Sequence, residues 1–239
     1  MSENASAPSR PGILSLVLIP AILSLVVTVV RVVGELKGWD PFWFGPGMGD
    51  NLPDGTPVPI GKFGVSFLIP LFGIYFAWRI RRSYGSPSLL RAIVGFLVGL
   101  GVTVGLCILF WKMELVQLPD PKAVPLRDPT GLQYVLAALG AGLVIGLIAW
   151  PRLAATLLVY GLFVRIPVIV VTYLAVNQDW KVHYVKLPPG VPAKEGFDRV
   201  MFLSVPQISL WPVFTVLAGG LVGSLLAGLV RSKDAPGAD

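Results

Sequence analysis

Six apolar stretches, each close to the length that a helix needs to cross a bilayer, constrain this chain more than any other feature. A spanning helix needs about 20 mostly apolar residues, because each residue rises about 1.5 Å across about 30 Å of hydrocarbon. Of the 239 residues, 54% are hydrophobic and 13% are charged, a balance that soluble domains rarely have. The sequence therefore predicts an all-α membrane protein, a bundle of six transmembrane helices. The predicted helices cover residues 12–34, 60–80, 92–111, 132–150, 153–176 and 208–230.

The tryptophans support this segmentation, because an indole ring prefers the boundary between hydrocarbon and water. All seven lie at or just beyond predicted segment ends: Trp39, Trp43, Trp78, Trp111, Trp150, Trp180 and Trp211. The membrane domain is predicted to span 12–231, with disordered polar tails at 1–11 and 232–239. We expect the first segment to be a retained helix, because no small-residue cleavage pattern follows it before Arg31.

Basic residues predict the orientation, because those in short connections stay on the cytoplasmic side. They are Arg79, Arg81, Arg82, Arg91 and Arg152 near two tight turns, and Arg231 and Lys233 after the last helix. We therefore expect both termini in the cytoplasm, three long outer loops at about 36–62, 112–131 and 177–207, and residence in the plasma (inner) membrane. The net charge of +6 is then a consequence of topology, so the expected partner is the lipid bilayer and not nucleic acid.

Two further patterns concern packing. In the third outer loop, apolar residues within 194–205 fall at helical spacing, which predicts a short helix lying flat on the outer leaflet.

Small residues four apart predict close packing of the third, fourth and sixth segments, or alternatively a face for a homo-oligomer or another membrane partner. The pairs are Gly95/Gly99, Gly101/Gly105, Gly142/Gly146, Gly219/Gly223 and Ser224/Gly228.

Arg165 is the main candidate for a functional residue, because it lies near the middle of the fifth segment. A charge at that depth costs from about 3 to above 10 kcal/mol, so it is expected to face protein or water. It lies two residues before Pro167, whose ring releases a backbone carbonyl that a guanidinium can bind. The residue is expected either to bind an anion or to pair structurally with a carboxylate.

The expected partner of Arg165 is Glu35, with Glu114 second. Arg31 and Glu35 are four residues apart at the outer end of the first helix, so they share a face and can pair with each other. Arg165, Arg31, Glu35 and Glu114 therefore form the candidate polar core.

Several chemistries are not supported by the sequence. The uncharged cores of the six segments contain no Asp or Glu, which argues against a proton-driven carrier. One histidine, His183, and one cysteine, Cys107, predict neither a haem nor a multi-cysteine metal site, so we assign no catalytic, cofactor or metal residue. A weak outer-loop candidate is His183 with Asp179 or Asp198 as an acid–base pair.

Three classes of function remain. The sequence favours a non-catalytic scaffold or accessory subunit, which predicts glycine-mediated packing without a continuous polar cavity. The first alternative is a small permease or channel, which predicts a cavity reaching Arg165 and lined by groups such as Tyr160, Thr103 or Tyr75. The second alternative is an outer-leaflet enzyme using loop 177–207, which predicts a cleft with His183 beside a carboxylate.

Overall fold

A computed structural model describes residues 10–47, 61–120, 122 and 125–227. Most of the predicted N-terminal tail, the predicted C-terminal tail at 232–239, the end of the sixth predicted helix and part of the first outer loop lie outside these residues. The described chain contains eight α-helices and no β-strand. They are α1 (Ile13–Leu36), α2 (Pro41–Phe44), α3 (Leu68–Tyr84), α4 (Leu89–Lys112), α5 (Leu132–Ala149), α6 (Pro151–Asn177), α7 (Gly196–Ile208) and α8 (Leu210–Ala227).

Five helical stretches are long and apolar enough to cross a membrane. They are α1, α4, α5, α6 and the combined stretch of α7 and α8, with mean hydropathies between 1.8 and 2.9. The prediction of an all-α protein with membrane-length apolar helices is confirmed at this level. The second predicted segment corresponds to α3, which is shorter. It has 17 residues, and Arg79, Arg81 and Arg82 lie in its last two turns.

The start of α3 differs most from the prediction. A helix was expected from residue 60, but a single 3₁₀ turn covers Val65–Phe67 and the α-helix begins at Leu68. The preceding residues bond to the α2 region instead, with the Gly61 amide donating to the Gly45 carbonyl at 2.8 Å and the Phe63 amide to the Trp43 carbonyl at 3.0 Å. Glycine has low helix propensity, so this stretch gains more from these loop bonds.

The helices pack through close backbone contacts at glycines. α4 contacts α5 where Gly142 meets the hydroxyl of Thr103, and α3 contacts α8 where Gly73 meets the backbone of Gly219 and Gly223. The expected association of the third, fourth and sixth segments is present as α4, α5 and α8, which contact one another. However, the pair Gly219/Gly223 packs against α3, because Gly73 allows the nearest backbone approach there.

One end of the bundle gathers the basic residues and is called the arginine end, defined by Arg79, Arg81, Arg82, Arg91 and Arg152. The hydroxyl of Tyr84 donates to the Pro11 carbonyl at 2.5 Å, and the Arg152 guanidinium lies 3.4 Å from the Tyr84 ring centroid. Arg81 donates to the carbonyl of Ala227. These contacts join the start of α1, the end of α3, the start of α6 and the end of α8.

The opposite end is called the loop end and consists of the described residues of the connections 37–67, 113–131 and 178–195. An ion pair of 2.7 Å between Lys194 and Asp128 joins two of these connections. α7 does not lie flat across this end, as the sequence suggested. It packs along α6 into the bundle, and Gln207 near its end reaches the middle of α6. Val200 and Ser204 are its buried residues, whereas Phe197 and Met201 of the predicted apolar face are 70% and 47% exposed.

The middle of the bundle is closed by an aromatic cluster between the two ends. Tyr160 of α6 is 1% exposed, and its hydroxyl lies 2.8 Å from the Ser24 hydroxyl of α1. The rings of Phe72 and Phe76 lie 5.2 and 5.4 Å from the Tyr160 ring in edge-on arrangements. We call Tyr160, Phe72, Phe76 and Ser24 the aromatic plug, because they fill the space between α1, α3 and α6.

Candidate functional site

Arg31 organises the loop end around α1. Its side chain is 2% exposed, and its guanidinium donates to four backbone carbonyls of the connection between α1 and α3. The acceptors are Trp43 at 3.1 Å, Gly61 at 2.7 Å, Gly45 at 3.0 Å and Phe63. A buried guanidinium needs this many acceptors because each unpaired polar group costs about 1–3 kcal/mol. Arg31 therefore fixes the connection that leads into α3.

Glu35 links this connection to the loop after α6. Its buried carboxylate pairs with Arg31, as the spacing of four residues suggested. Its other contacts are with His183, whose backbone amide donates to Oε2 at 2.7 Å and whose Nδ1 lies 2.5 Å from Oε1. Glu35 therefore lies between Arg31 and His183, and it is not the partner of Arg165.

Arg165 lies in α6 about 18 Å along the helix from its end at Asn177, at about 1.5 Å per residue. It is 4% exposed. Its Nη1 donates to Oε1 of Gln207 at 3.3 Å, and its guanidinium carbon lies 4.6 Å from the centroid of the Trp211 ring. Its Nε and Nη2 have no hydrogen-bond partner among the described residues.

A cavity of about 780 Å³ lies beside Arg165, between the start of α3, α6, α7 and the start of α8. This volume is within the range of about 300–1,000 Å³ typical of small-molecule sites. The basic residues that line it are Arg31, Lys62, Arg165, His183 and Lys186, and no Asp or Glu is found among the described lining residues. Arg31 is already paired with Glu35, which lies behind the wall. A cavity with this lining favours an anion, because opposite charge compensates the cost of a buried cation.

Tyr184 adds a neutral hydroxyl to the cavity wall. The pKa of this phenol is raised to about 12, first by burial and then by the nearby Glu35 carboxylate, while Arg31 and Arg165 lower it. The side chain is therefore a neutral group at physiological pH. It can donate a hydrogen bond to a bound anion without adding negative charge to the site.

The other sequence candidates lie away from the cavity. Glu114 follows the end of α4 with a φ of 60° and is exposed, so it is not part of a polar core with Arg165. Asp179 and Asp198 are also exposed, and neither lines the cavity. The carboxylate beside His183 is Glu35 instead, because the loop after α6 turns back onto α1.

The permease and enzyme alternatives each predicted a set of residues around a cavity, and each set is present only in part. A cavity reaches Arg165, but Tyr160, Thr103 and Tyr75 do not line it, because Tyr160 and Thr103 are buried in helix contacts. A histidine lies beside a carboxylate, and a carboxylate on Nδ1 fixes the imidazole tautomer. The same pair also holds the loop on α1, so its geometry suits a structural role as well as proton transfer.

Several lining residues had no signal in the sequence that singled them out. Gln207 and Trp211 are four residues apart across the junction of α7 and α8, and both contact Arg165. Trp211 was counted among the interfacial tryptophans. Only the folding of α7 along α6 brings these residues to one place.

The chain matched no family model, no curated protein and no solved structure. The fold and the site define it as a helical protein of the membrane class with a cationic cavity at one end of the bundle. Its function is therefore inferred from the site itself.

Proposed function

We propose that the protein is an integral membrane protein of the permease class that binds an anionic ligand beside Arg165. The observation that carries this proposal is the buried guanidinium, which lines the cavity while its Nε and Nη2 lack a hydrogen-bond partner among the described residues. A carboxylate or phosphate matches the planar donors of arginine and supplies the missing counter-charge. Trp211 lies against the guanidinium in a cation–π contact. Nε and Nη2 are buried in the described conformation, so a ligand reaches them by displacing a neighbouring side chain of the cavity wall.

The proposed topology has six spans, α1, α3, α4, α5, α6 and α8, with α7 leading into the last. α3 completes the set because the long side chains of Arg79 and Arg81 extend to the membrane boundary. The arginine end faces the cytoplasm because basic residues of short connections remain inside. Both termini are then cytoplasmic, and the cavity faces the outside of the plasma (inner) membrane.

The aromatic plug separates the cavity from the arginine end. The hydroxyl pair of Tyr160 and Ser24 and the rings of Phe72 and Phe76 fill the bundle below Arg165. In the described residues, the cavity is therefore closed towards the arginine end. Transport of the bound anion requires a second conformation in which the plug opens, as alternating access describes.

The test is a binding titration of the full-length protein in dodecyl maltoside micelles, which contain no phosphate. Inorganic phosphate is the probe, and tryptophan fluorescence is the signal, because Trp211 forms part of the cavity wall. We expect saturable binding that Arg165→Gln weakens at least about tenfold, equivalent to about 1.4 kcal/mol. The matched control is Arg82→Gln, because Arg82 is exposed at the arginine end.

A second variant keeps the test decisive if Arg165→Gln does not accumulate. Arg165→Lys retains the charge but loses the planar donors, so we expect weaker binding at normal abundance. Equal phosphate affinity in the wild type and both Arg165 variants would overturn the proposal. Absence of saturable binding in the wild type would do the same.

A non-catalytic scaffold is the second candidate, and one observation favours it. Gly101 and Gly105 of α4 face open space, unlike Gly99 and Gly142, which are used inside the bundle. Such a face suits close approach of another membrane helix, including one from a second copy of the chain. Replacement of both residues by leucine is expected to dissociate such an oligomer in light-scattering mass measurements. A monomeric wild-type protein would exclude the homo-oligomer form of this candidate.

A further inference from the structure

We infer that the ligand is an outer-leaflet lipid with a phosphate headgroup, whose acyl chain occupies the apolar side of the cavity. This inference rests on the proposed function, because it identifies the class of anion that binds beside Arg165. It differs from the binding of a free inorganic anion, and the two are separated by experiment below.

The cavity has two chemically different sides. Near Arg165 the wall supplies charge and hydrogen-bond donors, from His183, the neutral phenol of Tyr184 and Arg165 itself. Much of the remaining wall is apolar and is contributed by the start of α3 and by α7, although Lys62, Ser66 and Lys186 also line the cavity. The apolar residues are Phe67, Pro70, Phe202, Leu203 and Pro206. An inorganic anion would contact only the polar wall near Arg165, whereas an amphiphile would contact both the polar and the apolar wall.

The size of the cavity agrees with an amphiphile. Its volume of about 780 Å³ corresponds to roughly 26 water molecules at about 30 Å³ each. A tetrahedral phosphate with its first contacts occupies a small part of this space. The rest would have to stay filled with water against apolar walls, which is unfavourable compared with filling it with hydrocarbon.

The apolar side is continuous with the surface that faces lipid. Phe67, on the 3₁₀ turn before α3, lines the cavity and is 69% exposed. The exposed surface continues along α3 to Leu71 and along α7 to Met201, which are 54% and 47% exposed. α3 packs on α8, and α7 packs on α6 and α8, so the start of α3 and α7 form separate walls of the cavity. We place the lipid entrance between these two walls. A lipid can enter sideways by this route with its chain remaining in hydrocarbon.

The experiment compares three probes on the full-length protein in dodecyl maltoside micelles, whose sugar headgroups carry no phosphate. They are phosphatidate, inorganic phosphate, and diacylglycerol with the same chains but without the phosphate. We expect phosphatidate to bind at least about tenfold tighter than inorganic phosphate, and diacylglycerol to give no saturable signal. Arg165→Gln is expected to weaken both phosphatidate and phosphate, because both use the same guanidinium.

A matched pair of phenylalanine variants tests the apolar side alone. Phe67→Ser is expected to weaken phosphatidate severalfold more than it weakens phosphate. Phe197→Ser serves as the control, because Phe197 is 70% exposed on α7 and does not line the cavity. It is expected to change neither affinity.

The outcomes separate this inference from the proposed function. Phosphate binding as tight as phosphatidate, dependent on Arg165 and with the same effect of Phe67→Ser on both probes, would overturn the lipid and leave the anion site standing. Binding of neither phosphate-bearing probe would overturn both. Diacylglycerol binding as tight as phosphatidate would also overturn both, since the charge would then contribute nothing.

Discussion

The indole ring of Trp211 lies 4.6 Å from the guanidinium carbon of Arg165, which joins the start of α8 to the middle of α6 inside the bundle. The contact stabilises a cation at a depth where hydrocarbon would otherwise surround it. Gln207 adds one hydrogen bond from the end of α7. The remaining donors of Arg165 are therefore oriented by two neighbours that carry no negative charge.

Removal of the Trp211 ring is expected to weaken the site. Trp211→Leu loses a cation–π contact of about 0.5–2 kcal/mol, so we expect ligand affinity to fall by a factor of about 2–30. Trp211→Phe retains an aromatic face and is expected to lie between this variant and the wild type. The comparison is made by thermal-shift titration with phosphate, because these variants remove the main fluorescent reporter. Equal affinities in all three proteins would contradict the assigned contact.

Glu35→Gln is expected to destabilise the fold strongly. It removes the carboxylate that compensates the buried Arg31, and breaking one side of a buried pair costs about 3–5 kcal/mol. The measurement is thermal unfolding in detergent micelles, with Glu195→Gln as the control because Glu195 is exposed. Similar midpoints for the two variants would show that the Arg31–Glu35 pair contributes little to stability.

The helices could be predicted from sequence because their signal is local. Apolar length, flanking arginines and glycine spacing each describe a single segment, and most helix bounds follow from them within a few residues. The start of α3 could not be predicted, because residues 61–63 depend on backbone bonds to Trp43 and Gly45 in a distant part of the chain. The position of α7 could not be predicted either, because it depends on contacts with α6 in another part of the chain.

Two glycine substitutions are expected to have opposite effects. Gly73→Ala places a methyl group against the backbone of Gly219, where α3 meets α8, and is expected to cost about 1–3 kcal/mol. Gly101→Ala, on an open face of α4, is expected to be neutral or to stabilise by up to about 1 kcal/mol through helix propensity. Thermal unfolding of the two variants in the same detergent checks this. Equal midpoints would contradict the close packing of α3 on α8.

The buried phenol of Tyr184 predicts a pH dependence of stability. Its pKa is raised to about 12 from an ordinary value of 10.0, so the folded state retains the proton more strongly than the unfolded state. The stability contribution is complete below about pH 10 and is lost as the pH rises towards about 12. We expect the wild type to lose more thermal stability than Tyr184→Phe between pH 9 and 11. Parallel losses would contradict the burial of this hydroxyl.

The candidate site could be predicted only in part. Arg165, Arg31 and Glu35 were found because charges inside apolar segments are costly and therefore conspicuous. The Arg31–Glu35 pair is present as its spacing suggested. Both partners expected for Arg165 were wrong, because Glu35 contacts Arg31 and His183, and Glu114 lies beyond the end of α4. Gln207 and Trp211 are ordinary in sequence and become site residues only through the packing of α7 and α8.

The most direct test of the cationic cavity is charge-selective labelling from outside the membrane. Cysteine at Leu203, in a Cys107→Ala background that removes the one native cysteine, places a thiol in the cavity wall. Impermeant methanethiosulfonate reagents of negative and positive charge are then applied to intact cells. We expect the negative reagent to react faster, and Arg165→Gln to lower the ratio of the two rates severalfold. An absence of labelling from outside, or a ratio unchanged by Arg165→Gln, would contradict an outward-facing site controlled by this arginine.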